Sequence, residues 1–436
     1  MNSKKLFFSV LMTGTLITAA IGAKAQKAPF TKEISQEVTS QKGALIRIVT
    51  SSRKVSIKSW DQPKVKVTME FTYGDSAAQK RSDADWFEDL GVNIKPFSNR
   101  VDILTGTSVV YKVNNIGAKT LYGAGMIDGK YNDGLKEVTV HKKVANIQSD
   151  RGLDEVIVKG FSSARPVVRT MSILVPAGCK LDLENKYGDV VIGMNLDEAK
   201  LEITNGALDA GDIKNLQLTG NYCNANLGNV EKAEIEFNNG TFRAQNINDL
   251  DMDSKSSTIE YEKGSYLYLR SQADDYTIAS IDKIDGRKVY GSLKIDQLNT
   301  SFDLEGNNVD IKFRNISPEV TLIKINNRYG DVRLPVKNLK NYYVDFIGNY
   351  STVFAPFQKE VVKEEEKKEG DAATTTTKES SKPIELEGVY VTKGGTIRRP
   401  AVGEVAPRHF TSTVGDIKGK YTRIELTCHS CTVDFK

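Results

Sequence analysis

From Leu181 to Val353 the chain alternates apolar and polar residues in short bursts, each closed by a polar Asn/Gly turn. Leu181-Asp-Leu183-Glu-Asn185 leads into Tyr187-Gly-Asp-Val-Val-Ile192, and Leu201-Glu-Ile203-Thr-Asn-Gly206 leads into Ala207-Leu208. Leu216-Gln-Leu218, Ala233-Glu-Ile235-Glu-Phe237, Leu250-Asp-Met252 and Tyr266-Leu-Tyr268-Leu follow. Their starts lie 20, 15, 17, 17 and 16 residues apart. Later copies begin at Leu293, Phe302, Val309, Leu322 and Tyr343, and Ile424-Glu-Leu426 to Val433-Asp-Phe435 closes the chain with another. Period-two alternation predicts strands with one buried face, and Gly and Asn mark bends because they accept positive φ cheaply. A period near 17 is too short for a propeller blade of about 40 residues. It suits a solenoid whose coils bury each other's apolar rows, with an antiparallel sandwich as the competing architecture.

Ahead of the repeats the pattern differs. Gly43 to Thr50, Val55 to Trp60 and Val65 to Phe71 read as longer hairpin strands. Ser76 to Leu90 reads as a short helix with Trp86, Phe87 and Leu90 on its apolar side. Residues 26–170 are therefore expected to form a β-rich N-terminal cap with the first coils, and residues 171–357 the main repeats. Gln358 to Pro383 is rich in charge and threonine and nearly free of apolar residues, so it predicts a disordered insertion. Residues 384–436 then return to the coil pattern, and the closing coil is expected to have no neighbour beyond it.

At the N-terminus, Lys4 and Lys5 precede an apolar stretch from Leu6 to Ile21, and Ala23-Lys24-Ala25 supplies small residues for a cut before Gln26. That order predicts a secretory signal peptide over residues 1–25, with an uncleaved membrane anchor as the alternative. The destination expected is periplasm, outer surface or extracellular space, with no transmembrane segment after cleavage. Removing Lys4, Lys5 and Lys24 with no acid lowers the formal charge from +4 to +1. A near-neutral chain lacks the electrostatic footprint of a nucleic-acid binder.

Ile173-Leu-Val-Pro-Ala-Gly-Cys-Lys-Leu-Asp-Leu-Glu-Asn-Lys-Tyr-Gly-Asp-Val190 resembles the signature of the bacterial putative-adhesin family of unknown function, in which a VPxG strand leads into NxYGDV. Gly43 to Asp61 is similar to that family's first coil, and the resemblance covers most of residues 40–357. It implies an all-β, single-stranded right-handed β-helix, here with coils of about 17 residues. It also implies an exported adhesin-like binding or structural role, toward a glycan or an envelope protein. The charged insertion and the terminal Cys-x-x-Cys depart from the family pattern.

The residues offer little chemistry. Asn185-Lys-Tyr-Gly-Asp-Val190 and Asn327-Arg-Tyr-Gly-Asp-Val332 are near-identical, and Ile347 to Val353 is a looser copy around Tyr350. Tyr187, Tyr329 and Tyr350 could form an aromatic edge able to stack on sugar rings. Alternatively they mark a repeated tight turn whose Gly and Asp serve the backbone. Asp189, Asp331 and Asp416 are expected at equivalent turns, which argues for architecture over the unique carboxylate pair a glycosidase needs. His141, His409 and His429 are too scattered to read as a metal set or a nucleophile–base pair. Cys428 and Cys431 have redox-motif spacing without the strand–helix context, so a local disulfide or two free thiols in an oxidising compartment is the expectation. No catalytic, cofactor or metal site is expected. Two further function classes stay open: a carbohydrate-active β-helix enzyme and a periplasmic envelope-stress or sensing component.

Overall fold

The computed structural model describes residues 30–73, 82–105, 167–362 and 408–436, together with the backbone of five short strands between 112 and 157. The N-terminal stretch 1–25, most of the insertion 358–383 and the residues from 384 to 407 lie outside the described residues. Among the described residues the chain is all-β apart from one helix and a single 3-10 turn.

In chain order the cap contains β1 (Phe30–Thr39), β2 (Leu45–Ser51), β3 (Lys54–Trp60), β4 (Lys64–Tyr73), α1 (Asp83–Asp89), β5 (Val92–Pro96) and β6 (Arg100–Thr105). Strands β7 to β11 (Lys112–Asn114, Thr120–Gly123, Leu135–His141, Val144–Ser149, Glu155–Ile157) form two small antiparallel sheets. Then come β12 (Val167–Pro176), β13 (Lys180–Lys186), β14 (Val190–Ile192), β15 (Leu196–Thr204), β16 (Ala207–Ala210) and β17 (Ile213–Asn221). Four long runs follow: β18 (Asn224–Asn238), β19 (Thr241–Lys255), β20 (Thr258–Ile316) and β21 (Leu322–Leu334). The chain ends with β22 (Tyr342–Asn349), β23 (Thr352–Phe354), β24 (Glu360–Val361), β25 (His409–Val414) and β26 (Thr422–Phe435).

The repeats pair in parallel, each with the next. Leu183 sits beside Leu201, Leu201 beside Leu218, Leu218 beside Ile235, Ile235 beside Met252 and Met252 beside Leu269. From Leu201 onward each partner is 17 residues further along the chain. The column extends into the cap, because Ile48 pairs with Leu183 and Ile103 with Ile48. All of these side chains are buried. No coil could bury such a row alone, so each apolar column forms only through stacking. The register also explains the uneven spacing in the sequence. Ala199 and Leu267 stand in the column of Leu181, whereas Tyr266 and Tyr268 face outward. Both phases of Tyr266-Leu-Tyr-Leu are apolar, so neighbouring coils decide which one faces inward.

Both ends are covered. At one end β4 runs antiparallel to β1 and β12, and α1 packs beneath, with Trp86 centred 4.8 Å from the Phe71 ring. The helix starts at a reciprocal cap: the Asp85 amide donates to Ser82 Oγ and Ser82 donates to Asp85 Oδ2. Trp86, Phe87 and Leu90 are buried, as their spacing predicts. At the other end β25 lies antiparallel on β22, with Phe346 and Phe410 stacked at 4.9 Å.

One expectation is overturned there. The closing strand β26 is not the outermost coil. It pairs in parallel with β21 on one side and with β22 and β23 on the other. The C-terminus is therefore threaded between two coils that precede it in sequence. Only backbone register determines this, and every coil carries the same local pattern.

Candidate functional site

Each coil turns once through a residue in the left-handed region. Among the described residues twelve non-glycine residues have positive φ, and all sit at this corner. In stacking order they are Ser52, Tyr187, Asn205, Tyr222, Asn239, Ser256, Ala273, Tyr290, Asn308, Tyr329, Ser430 and Tyr350. Their amides link neighbouring corners: Tyr187 N donates to Thr204 O at 2.9 Å, Asn205 N to Asn221 O at 3.0 Å and Tyr222 N to Asn238 O at 2.8 Å. Asparagine accepts this conformation readily, whereas a bulky aromatic residue there is strained.

Tyrosine nevertheless occupies five of the twelve corners, and all five rings are exposed, from 46% at Tyr329 to 84% at Tyr350. Tyr187, Tyr329 and Tyr350 thus share one edge of the stack. Tyr222 and Tyr290 belong to the same edge and were missed in the sequence, since neither carries the Tyr-Gly-Asp signature. Carrying the 17-residue step forward from Asn205 would have found both. His429 lies between Tyr329 and Tyr350, with ring centres 5.8 and 5.9 Å away and edge-to-face geometry. The far end of the edge is thus a three-ring aromatic patch.

The residues flanking the corner have structural jobs. A Cβ on Gly188 would fall inside the backbone carbonyl of Arg53, so only glycine lets these coils close up. Asp189 Oδ1 accepts the Ala207 amide of the next coil at 3.1 Å. Asp310 Oδ1 does the same for the Asp331 amide at 3.1 Å. Asp189 and Asp331 hold the same place in their coils, but Asp416 does not. Thr432 pairs with Asp331, while Asp416 lies in the turn after β25, where its amide donates to Asn341 Oδ1. The expected equivalence of Asp416 fails because Gly-Asp after β25 opens the crossover from β25 to β26, two strands that pair with β22 rather than with each other, and does not turn a coil.

Cys428 pairs with Asn327 and Cys431 with Gly330, so the two cysteines straddle the Ser430 corner. All four cysteines are buried thiols in the structure. A hydrogen bond to the Cys431 sulfur, with burial second, pushes the Cys428 thiol well up. Cys431 is seated by its amide on Ser351 Oγ at 3.1 Å. His409 pairs with Asp345 at 3.0 Å, far from either cysteine in sequence, and His141 lies in β9, whose side chains are outside the described residues. Among the described residues no three His, Cys, Asp or Glu side chains are grouped to hold a metal ion. No helix among them is long and apolar enough to cross a membrane.

Inside the stack one polar cluster interrupts the apolar columns. Asp274 Oδ2 accepts hydrogen bonds from Ser254 Oγ at 2.8 Å and Ser271 Oγ at 2.6 Å, and its Oδ1 accepts the Ser257 amide at 2.7 Å. The Lys288 ammonium donates to Ser271 Oγ and to the Asp274 carbonyl, and lies 5.1 Å from the Tyr276 ring centre. Burial pulls Lys288 down to about 8, against the opposing influence of Asp274 and Asp275. The cluster is buried inside the stack.

No curated protein matches the chain. Among solved structures, the chain aligns with the crystal structure of a putative cell adhesion protein from Clostridium sporogenes ATCC 15579. Identity is 8% and the TM-score 0.16, over 93% of this chain and 99% of that one. The family model described as Toastrack DUF4097 matches residues 92–389, more than half of the sequence, and the chain therefore belongs to the Toastrack DUF4097 family.

Proposed function

We propose that this protein is an exported, non-catalytic, adhesin-like binding protein of the cell envelope. In this reading it is a right-handed solenoid with coils of about 17 residues, and its tyrosine edge meets the ligand, a glycan or an envelope protein. One observation carries the reading. Five tyrosines occupy left-handed corners while exposing their rings. Each such corner costs on the order of 1 kcal/mol or more and returns little packing to the fold. Strain kept at exposed aromatic positions is accounted for by contact with something outside the chain. Export is supported by the order Lys4-Lys5, apolar stretch, Ala-Lys-Ala at the N-terminus.

The test replaces Tyr187, Tyr222, Tyr290, Tyr329 and Tyr350 together by Asn. Binding to intact cells, isolated envelope fractions and a glycan array is then compared with the unmodified mature chain. Loss of at least tenfold in binding with the fold retained supports the tyrosine edge. Equal binding by both proteins moves the contact elsewhere, and absence of binding to every surface overturns the adhesin reading.

A further inference from the structure

Half a coil away from the tyrosine corners, the stack carries a second continuous feature. Each coil bends there through a polar–apolar–polar triplet, such as Asn195-Leu-Asp197, Asp212-Ile-Lys214 and Asn229-Val-Glu231. The central residues pair in register: Leu196 with Ile213, Ile213 with Val230, Val230 with Ile247 and Ile247 with Gly264. The apolar members turn inward, and the polar members form two parallel rows on either side of an open groove of about 880 Å³. The groove runs from Asn195 to Asn299, across seven coils, so it is roughly 30 Å long at a strand spacing of about 4.8 Å.

The rows are built chiefly of amides, hydroxyls and a few carboxylates, and they are pre-ordered. Asp212 Oδ1 accepts both the amide and the side chain of Asn229, at 2.8 and 2.9 Å. Asn246 donates to Asn229 Oδ1 at 2.5 Å, and Asn299 to Asp282 Oδ1 at 2.9 Å. Each amide in this ladder uses part of its hydrogen-bonding capacity on its neighbour and keeps the remainder for the groove. The backbone below is committed to coil-to-coil pairing, so an incoming peptide strand finds no free edge to extend. Charge also narrows the choice. Asp197, Asp212, Glu231 and Asp282 line the groove with two cations, Lys214 and Lys263, among them, and Lys214 is paired with Asp197 at 2.6 Å. A polyanion is therefore repelled.

We infer that this groove binds an uncharged, linear polysaccharide lying along the stack axis. Its hydroxyls meet the two rows of amides and carboxylates, and successive sugars follow the coil repeat. The inference rests on the adhesin-like reading above and gives that reading a ligand class and a second contact surface, separate from the tyrosine edge.

The experiment measures binding of the mature chain to neutral linear hexasaccharides, namely cello-, chito-, xylo- and 1,3-gluco-oligomers, by calorimetry and on an array. Polygalacturonate serves as the anionic control. Two variants report on the groove. Asn229→Ala with Asn246→Ala removes ladder amides, and Ser265→Trp fills the groove without touching a ladder hydrogen bond. Circular dichroism and melting confirm that each variant folds. The expected result is binding to at least one neutral oligomer and none to polygalacturonate, with at least a tenfold loss in Ser265→Trp and in the double variant. If the parent binds a neutral oligomer and Ser265→Trp binds equally well, the groove assignment is overturned while the adhesin reading stands. If the parent prefers polygalacturonate, the charge argument and the ligand class fall. If the parent binds cells but no oligomer, the groove inference fails alone, and if it binds neither, both readings fail.

Discussion

Single residues set the character of this protein through the conformation they tolerate. At a left-handed corner Asn is comfortable and Tyr is strained, so Tyr187→Asn and Tyr222→Asn should each raise stability by about 0.5–1 kcal/mol. Thermal melts of the single variants check this, and unchanged or lowered melting temperatures would remove the strain argument for function. A gain in stability coupled to a loss in binding is the expected trade at a functional residue. Lys288 gives a second test at this scale. Its folded form releases its proton near 8, while the unfolded chain keeps it until about 10.5. Between those values the unfolded state binds more protons, so this residue's contribution to stability rises with pH by up to about 3 kcal/mol. The buried thiols work the other way. Burial pushes Cys179 up to about 11 and Cys223 up to about 12, so above pH 9 the unfolded chain sheds protons that the native chain retains, and stability falls. The stability difference between the parent and Lys288→Met isolates the lysine and should move in the parent's favour from pH 8 to 10.5. A flat difference across that window would place the lysine in water.

At the scale of elements, alternation and turn chemistry were legible in the sequence. The hydrophobic columns and the short helix bearing Trp86 follow from it. The phase of Tyr266 to Leu269, the two extra corner tyrosines and the place of Asp416 did not. In each case the deciding information lies in a neighbouring coil, not in the segment itself. The cysteine pair changes meaning for the same reason. A closing coil with nothing beyond it would benefit from a staple, whereas β26 is held on both sides. In an oxidising compartment we propose that the two sulfurs still bond, because a hydrogen bond already links them across one corner. A loop this short removes little entropy from the unfolded chain, about 2 kcal/mol or less. Reduction should therefore leave the bulk melting temperature within a few degrees. Alkylation of the non-reduced protein followed by mass spectrometry decides the matter, and two freely labelled thiols would exclude the bond.

For the whole molecule, stacking explains both the length of the chain and its tolerance of insertions. A solenoid core grows along one axis, and a segment that leaves the stack disturbs only the coils beside it. Gln358 to Pro383 has the composition of such an excursion, although Glu360 and Val361 still pair with Thr411 and Phe410. Limited proteolysis should cut first between Lys363 and Pro383 and yield two pieces that co-elute, since β25 and β26 pair with β21, β22 and β23. Early cleavage within 181–353 instead would mean that the stack is not continuous.

The threading of β26 between β21 and β22 also makes the order of synthesis matter. A chain that emerges from its N-terminus can lay down each coil on the previous one as soon as it appears, up to Leu334. Residues 342–354 cannot join in the same way, because the place beside β21 is reserved for residues that do not yet exist. The stack must wait for the last few residues, then receive them as a wedge that completes two ladders at once. During that interval β21 and β22 each present an open strand edge, the surface most prone to mispairing. Deleting residues 422–436 should consequently do more than shorten the rod by one coil. It should strand 342–354 as well, exposing them to protease and promoting association between copies, while the coils from Leu181 to Ile316 stay protected from hydrogen exchange. A truncated chain that remains monomeric and protected at 342–354 would show that those residues can dock on β21 without the wedge.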